Sequence, residues 1–193
     1  REFYGKTVVV KYGGHAMVDE TLKSDVMSDL ILMKYVGMKP VLVHGGGPQI
    51  SGLLDRVGKK SEFVNGLRVT DEETVAFAEM ALVGSVNKDI VGMLNRLGAS
   101  AVGLSGKDAN LIQARKHFPV VQNGDADEST VDIGFVGEIT QVNPHIIQVL
   151  ESQGFIPVIA GMGVGEAGET YNINADTPAG EIAAALKAAK LIL

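Results

Sequence analysis

The sequence predicts an α/β fold, a three-layer αβα sandwich whose open, mostly parallel sheet is accompanied by β-hairpins. Short β-branched apolar runs such as Lys6–Tyr12 (KTVVVKY) alternate with segments of helical apolar spacing such as 19–36. This alternation implies right-handed crossovers and a parallel sheet covered on both faces. The 24 glycines cluster at the ends of apolar runs, as ligand-binding loops of such a sheet require. With 193 residues, 46% of them hydrophobic, we expect one globular domain.

The first half of the chain predicts strands and helices in close succession. These are a strand at 6–12, a helix from Asp19 to about Val36, a strand at 39–44 and a helix from Pro48 to about Val57. Residues 61–69 indicate a hairpin. Thr70 and Glu73 have the spacing of a capping box and predict a helix, which Gly84-Ser85 interrupts before a second helical piece ends at Leu97. Residues 100–104 predict another buried strand.

The second half changes character at 111–142, where short alternating runs indicate antiparallel hairpins on the sheet edge or over a site. The remaining predicted elements are a helix from Asn143-Pro144 to about Gln153, strands at 155–160 and 170–173, and a helix capped by Asn174 and ending at Ala189. The acidic stretch 123–130, with Asp125, Asp127 and Glu128, indicates a solvated loop, and contact with Mg²⁺ or a partner is the alternative. Because the chain stops on an apolar run, we expect it to be a fragment.

Composition argues against several classes of function. A net charge of −6 argues against a nucleic-acid or anionic-membrane surface as the partner. No apolar run approaches the roughly 18–20 residues that span a bilayer. There are no cysteines, so no disulfide framework or thiolate metal site is expected, in agreement with a reducing compartment. The four histidines show no ligand spacing, and we expect no metal site. For His15 and His44, beside the glycine loops, a hydrogen-bonded structural role is favoured.

The segment Lys39–Gln49 (KPVLVHGGGPQ) carries the strongest local signal for a ligand. A strand that runs through glycines into a helix leaves backbone N–H groups unpaired, where the helix dipole favours negative charge. It therefore predicts an anion cradle, with an empty tight turn as the alternative. Other glycine-containing motifs do not indicate a site. GVGEAG at 163–168 matches a dinucleotide fingerprint in spacing, but it precedes a strand-like run, whereas the fingerprint precedes a helix. There is no G-x-S-x-G elbow, and no Lys-Ser/Thr follows the three glycines.

Four further side chains could act with this loop. Lys11 lies in an apolar strand, where a charge is costly unless an anion neutralises it; the alternative is a lysine that reaches solvent. Arg68 follows a turn signal and could clamp a carboxylate, or serve only structure. Asp176, in a first helical turn, could be a cap, and Asn172 could be a strand-end polar residue.

Five stretches together resemble the amino acid kinase family. V-K-x-G-G and H-G-G-G are shared widely in the family, whereas NGLRVTD together with NINAD resembles the members that phosphorylate N-acetyl-L-glutamate. The stretches, in the family's order across the chain, are VVVKYGGHAM (8–17), VLVHGGGPQI (41–50), NGLRVTD (65–71), AVGLSGKD (101–108) and YNINAD (171–176).

The resemblance implies an amino acid kinase fold and roles for the matching positions. This chain would be the acetylglutamate-binding N-terminal lobe (1–193), with the ATP-binding lobe and a second catalytic lysine beyond Leu193, so that the fragment alone would be inactive. Lys11 would stabilise the transferring phosphoryl group, and Asp176 would orient the active-site lysines. Arg68 and Asn172 would hold the α-carboxylate end. The backbone donors to the γ-phosphoryl and the side-chain carboxylate would be Gly13, Gly14, Gly45 and Gly46.

The implied reaction is ATP-dependent phosphorylation of the γ-carboxylate of N-acetyl-L-glutamate in arginine biosynthesis, with Mg²⁺ carried by ATP. It further implies a cytoplasmic homo-oligomer (plastidial if from a plant), a dimer or a hexamer. Arginine feedback and contact with a regulatory protein in the full-length protein stay open. Two alternatives remain: an acetylaminoadipate-type kinase of lysine biosynthesis, and a non-catalytic domain that senses arginine or another amino acid.

Overall fold

A computed structural model describes residues 2–123 and 127–193 as an α/β sandwich with two principal sheets. The strands are β1 (Thr7–Tyr12), β2 (Lys39–His44), β3 (Phe63–Val64), β4 (Leu67–Arg68), β5 (Ala101–Ser105), β6 (Ile112–Lys116), β7 (Val120–Asn123), β8 (Asp127–Thr130), β9 (Gly137–Val142), β10 (Ile156–Ala160), β11 (Met162–Val164), β12 (Thr170–Asn172) and β13 (Lys190–Ile192). The helices are α1 (Glu20–Tyr35), α2 (Gly47–Arg56), α3 (Glu72–Glu79), α4 (Asn87–Arg96), α5 (His145–Ser152) and α6 (Asp176–Ala185).

The central sheet is five-stranded and parallel, in the order β13-β1-β2-β10-β5. A second sheet, β12-β11-β6-β9, is mostly antiparallel, and β3-β4 and β7-β8 form separate hairpins. The predicted fold class and the predicted hairpins in 111–142 are therefore confirmed. Within the described ranges, no helix combines the length and apolar character needed to cross a membrane.

The alternation of side chains along β1 and β2 assigns each residue to one face of the central sheet. Val9, Val41 and Val43 pack in one core with residues of α5 and α6. Tyr12 and Leu42 pack in another core with residues of α1 and α4. Both faces are thus buried, which explains why the strands read as nearly continuous apolar runs.

The cap of α3 differs from the capping box predicted at Thr70 and Glu73. Asp71 is the N-cap, and its Oδ1 accepts the N–H of Thr74 at 2.8 Å. Thr70 is fully buried and its hydroxyl donates to the Arg68 carbonyl at 2.7 Å. The prediction was one residue early because the Thr70 hydroxyl serves the hairpin instead of the helix.

Gly84-Ser85 does not break the helical segment. A π-helical stretch, Met80–Val86, joins α3 to α4 without a loop. The last helix ends at Ala185 rather than the predicted Ala189, because Lys187 adopts a positive φ of 49°. The short strand β11 was not predicted, since its sequence MGV is too brief and glycine-rich to show a period. Of the acidic stretch 123–130, Asp127–Thr130 form β8 instead of the predicted loop because they pair with β7, and Asp125 lies outside the described residues.

Candidate functional site

The two glycine loops lie side by side at the carboxyl edge of the central sheet. β1 and β2 are parallel neighbours in a register that pairs Lys11 with Val43 and Tyr12 with His44. The chain therefore leaves both strands at the same level, at Gly13-Gly14 and at 45–47. Crevices at the carboxyl ends of strands are where open α/β sheets bind ligands.

A cleft of about 310 Å³ opens at this edge. Seven of the eight predicted site residues line it: Lys11, Gly13, Gly14, Gly45, Gly46, Arg68 and Asn172. The eighth, Asp176, reaches the cleft through an ion pair with Lys11. Residues from β1, α2, the β3-β4 hairpin and β12 thus meet at one place, although they are far apart in the sequence.

Lys11 shares a sheet face with Val9 and therefore extends towards α6. Its Nζ lies 2.9 Å from Asp176 Oδ1, with the lysine side chain 23% exposed and the aspartate side chain 54% exposed. Asp176 is the first residue of α6, where the helix dipole favours a carboxylate. A Cβ at Gly13 would lie 2.9 Å from Lys11 Cε and 3.0 Å from its Nζ, so a glycine there leaves the lysine room. The ion pair holds the ammonium at the rim of the cleft.

Arg68 is a buried cation with neutral partners. Only 6% of the residue is exposed, and burial lowers the pKa of its guanidinium although the charge of Asp55 opposes the shift. Nη2 donates to Gly47 O at 3.1 Å and to Ser51 Oγ at 2.9 Å, and Nη1 donates to Ser61 Oγ. None of the ion pairs among the described residues includes Arg68.

The hairpin β3-β4 presents Arg68 to the cleft. Its turn, Asn65-Gly66, has positive φ at both residues (49° and 78°), which the predicted turn sequence favours. β3 supplies Phe63, whose ring lies 4.8 Å from the Arg68 guanidinium carbon. The guanidinium is therefore fixed by the hairpin and by α2 together, with some of its five N–H groups still uncommitted.

The backbone of the second glycine loop offers donors, but not at every predicted position. Gly45 N–H donates to Tyr12 O at 3.2 Å, so this N–H is engaged in the sheet, contrary to the expectation that it serves a ligand. Among the described residues, Gly46 N–H and Gly47 N–H have no protein acceptor. Both lie at the N-terminus of α2, which has no side-chain cap. The loop thus has free N–H groups where the helix dipole is positive.

His44 is fully buried beneath this loop and hydrogen-bonded, as favoured from the sequence. Its Nδ1 lies 2.8 Å from Gly45 O and its Nε2 lies 3.0 Å from Asn87 Nδ2. Burial lowers the pKa of His44 to about 4, with the Gly45 carbonyl opposing the shift and the charge of Lys88 adding to it. The ring is neutral at physiological pH. The side chain of His15 lies outside the described part of the chain.

Asn172 ends β12, where its backbone N–H donates to Phe135 O at 2.9 Å, and it lines the cleft. Sequence reasoning missed Ser51, Ser61 and Asn87, which hold Arg68 and His44. Serines in a helix and a loop carry no signal by themselves, and Asn87 stands at helical spacing on a buried face.

Within 2–123 and 127–193, no three His, Asp or Glu side chains are grouped to hold a metal.

Comparisons with known proteins show what the chain is similar to. The acetylglutamate kinases of Pelotomaculum thermopropionicum and Heliobacterium modesticaldum are 60% and 58% identical over the whole chain. The chain spans 65% of the length of these curated relatives. Among solved structures, smu.665 from Streptococcus mutans is 31% identical with a TM-score of 0.82, over 97% of this chain and 71% of that one.

More distant structures share the fold alone. N-acetylglutamate synthase from Neisseria gonorrhoeae has a TM-score of 0.79 at 24% identity, over 98% of this chain and 41% of that one. The model of the amino acid kinase family matches residues 6–193. The chain therefore belongs to the amino acid kinase family.

Proposed function

We propose that the full-length protein transfers the γ-phosphoryl group of ATP to the γ-carboxylate of N-acetyl-L-glutamate, a step of arginine biosynthesis. The observation that carries the proposal is the charge of the cleft. Arg68 is buried there without a carboxylate partner among the described residues, beside Lys11 and free glycine N–H groups. A buried cation of this kind is stabilised by an anionic ligand. The names of the relatives support the choice of acid.

The substrate would lie between the hairpin and the glycine loop. Arg68 would donate its uncommitted N–H groups to the α-carboxylate, with Asn172 binding the same end of the molecule. The γ-carboxylate would then approach Gly46, at the N-terminus of α2. The distance between Arg68 and Gly46 across the cleft would determine which length of dicarboxylic acid fits.

The reaction requires positioning and positive charge rather than a base. A γ-carboxyl group has an ordinary pKa near 4.3 and is ionised at neutral pH. One carboxylate oxygen forms a bond to the γ-phosphorus, and the bond from that phosphorus to the bridging oxygen breaks, leaving ADP. Lys11 would offset negative charge on the transferring group, with Asp176 orienting its ammonium. Gly13, Gly14 and Gly46 would add backbone N–H donors.

The nucleotide would be bound by a second lobe that this chain does not include. The chain spans 65% of the length of its relatives. Mg²⁺ would be carried by ATP, where it neutralises phosphate charge. This chain alone would bind acetylglutamate without phosphorylating it. The full-length protein would be a cytoplasmic homo-oligomer, with arginine as the candidate feedback ligand.

A coupled assay of ADP release by the full-length protein tests the proposal. We expect turnover with N-acetyl-L-glutamate and much less with N-acetyl-L-2-aminoadipate, which is one carbon longer. Turnover that favours the longer acid would replace the proposed substrate. N-acetyl-L-glutamine is the matched control, because it lacks only the accepting carboxylate and should give no turnover.

Calorimetry with the 193-residue chain distinguishes a domain that binds the proposed substrate from a non-catalytic domain that senses arginine. We expect binding of N-acetyl-L-glutamate that weakens in Arg68→Ala and is unaffected by the exposed-site control Arg56→Ala. Binding of arginine without binding of acetylglutamate would favour a non-catalytic sensing domain.

A further inference from the structure

A buried polar chain runs from the π-helical segment to the glycine loop and is not used by the proposed chemistry. It consists of Asn87, His44 and the carbonyl of Gly45. Asn87 and His44 are both fully buried and lie 43 residues apart in sequence. They meet because alternation along β2 directs His44 to the sheet face covered by α4, of which Asn87 is the first residue.

The orientation of the Asn87 amide follows from its neighbours. Nδ2 lies 3.0 Å from Val158 O and 3.4 Å from Leu104 O, and carbonyl oxygens only accept. Oδ1 lies 3.1 Å from the ammonium of Lys88, which only donates. The NH₂ group therefore faces the strands and the oxygen faces Lys88. A Cβ at Gly103 would overlap Asn87 Oδ1, so β5 is shaped to admit this amide.

The amide orientation determines the tautomer of His44. Because Asn87 Nδ2 donates to His44 Nε2, that ring nitrogen carries no proton in the neutral imidazole. The proton is then on Nδ1, which donates to Gly45 O at 2.8 Å. With the other tautomer, two N–H groups would face each other at Asn87 and two acceptors would face each other at Gly45.

Holding the Gly45 carbonyl also orients the N–H of Gly46, because both belong to one planar trans peptide and point in opposite directions. The carbonyl is turned towards the buried ring, so the N–H is turned away from it. Gly45 N–H is bonded to Tyr12 O, which fixes the preceding peptide as well. Gly46 lines the cleft, and its N–H has no acceptor among the described residues.

We infer that His44 and Asn87 are positioning residues for phosphoryl transfer, which hold the Gly46 N–H towards the reacting anions. The inference rests on the proposed function. Neither side chain lines the cleft, so both act through the Gly45–Gly46 peptide. Asn87 selects the His44 tautomer, and His44 fixes the peptide.

Three variants of the full-length protein test the inference. His44→Leu removes the donor to Gly45 O. His44→Asn keeps a donor, because the amide NH₂ of asparagine is bonded to Cγ, as Nδ1 is in histidine. Removing one preorganised donor to a developing charge typically lowers kcat by about 10²–10³-fold, and we expect a loss of about 10–10²-fold for a misdirected one. His44→Asn should lose clearly less kcat than His44→Leu, because it keeps a donor to Gly45 O. The KM for N-acetyl-L-glutamate should change little in both, and His145→Leu, at an exposed histidine, is the matched control.

A direct readout does not depend on activity. Long-range ¹H–¹⁵N spectra of the wild-type protein report which nitrogen of His44 carries the proton, and the signals missing from His44→Asn identify this ring. We expect the proton on Nδ1. A proton on Nε2 would overturn the inference but leave the proposed function untouched.

The kinetic outcomes separate the inference from the proposed function. Equal kcat losses in folded His44→Leu and His44→Asn would reduce His44 to a structural residue and overturn the inference. A wild-type protein that does not phosphorylate N-acetyl-L-glutamate would overturn the proposed function, and with it the positioning role in phosphoryl transfer.

Discussion

Gly46 is the position where adding a single methyl group should disturb the site most directly. Its φ of 163° lies outside the left-handed region that favours glycine, so we expect the effect of Gly46→Ala to come from packing. The added Cβ would lie 2.6 Å from Leu82 Cδ2 and 3.4 Å from Val86 Cγ2. The effect of the substitution is therefore a matter of packing against the π-helical stretch.

The magnitude follows from how far Leu82 must move. Carbon atoms in contact prefer about 3.5–4.0 Å, so Leu82 Cδ2 would have to retreat by about 1 Å. Leu82 is only 2% exposed and packs in the core with α2 and α3, which leaves it little room. Overpacking of this kind costs about 1–3 kcal/mol, and we expect Gly46→Ala to lower the free energy of unfolding by that amount.

Gly47→Ala is the matched control, because a Cβ there meets no atom within 4 Å and alanine favours the helix that begins at this residue. Urea denaturation followed by circular dichroism measures both variants. Equal free energies of unfolding for the two, within about 0.5 kcal/mol, would refute the packing argument. So would strict additivity of Gly46→Ala with Leu82→Ala, since the cavity left by the second change should accept the new methyl group.

Three further predictions concern charge. In the full-length protein, Lys11→Ala should lower kcat by about 10²–10³-fold while the KM for acetylglutamate changes little. Lys6→Ala, at the exposed residue just before the same strand, is the control, and an unchanged kcat in Lys11→Ala would remove Lys11 from the mechanism. Arg68→Ala should raise the KM for acetylglutamate by about 10–100-fold through loss of charge-assisted hydrogen bonds, and an effect confined to the KM for ATP would contradict this role. The hydrogen bond from Lys59, with that from the Thr74 N–H, lowers the pKa of Asp71 from 3.8 to about 2. The Asp71 carboxylate therefore stabilises the fold above pH 3.8, and this contribution is lost as the pH falls towards 2. In urea denaturation, the difference in free energy of unfolding between wild type and Asp71→Asn should close over that interval. A difference independent of pH would exclude the ion pair.

Local sequence patterns predicted most of the strands and helices and the positions of the glycine loops. These features depend on local preferences, such as β-branched runs, helical spacing and glycine after a strand, which are read without knowing what packs against them. Lys11, Arg68 and Asp176 were singled out because each is a charge in an unusual local setting. The capping error at Thr70 arose where a local pattern competed with a contact from the hairpin.

How these residues meet depends on contacts between distant parts of the chain. The parallel register of β1 and β2 sets the two glycine loops at one level, and the sheet's two faces send Lys11 towards α6 and His44 towards α4. The partners of Arg68 come from α2 and from the segment before β3, and the partner of His44 comes from the end of a π-helical stretch. Such contacts join residues that are distant in sequence, and no local pattern encodes them. The glycine loop is therefore visible in the sequence, but the direction in which its Gly46 N–H points is fixed by Asn87 and His44 beneath it.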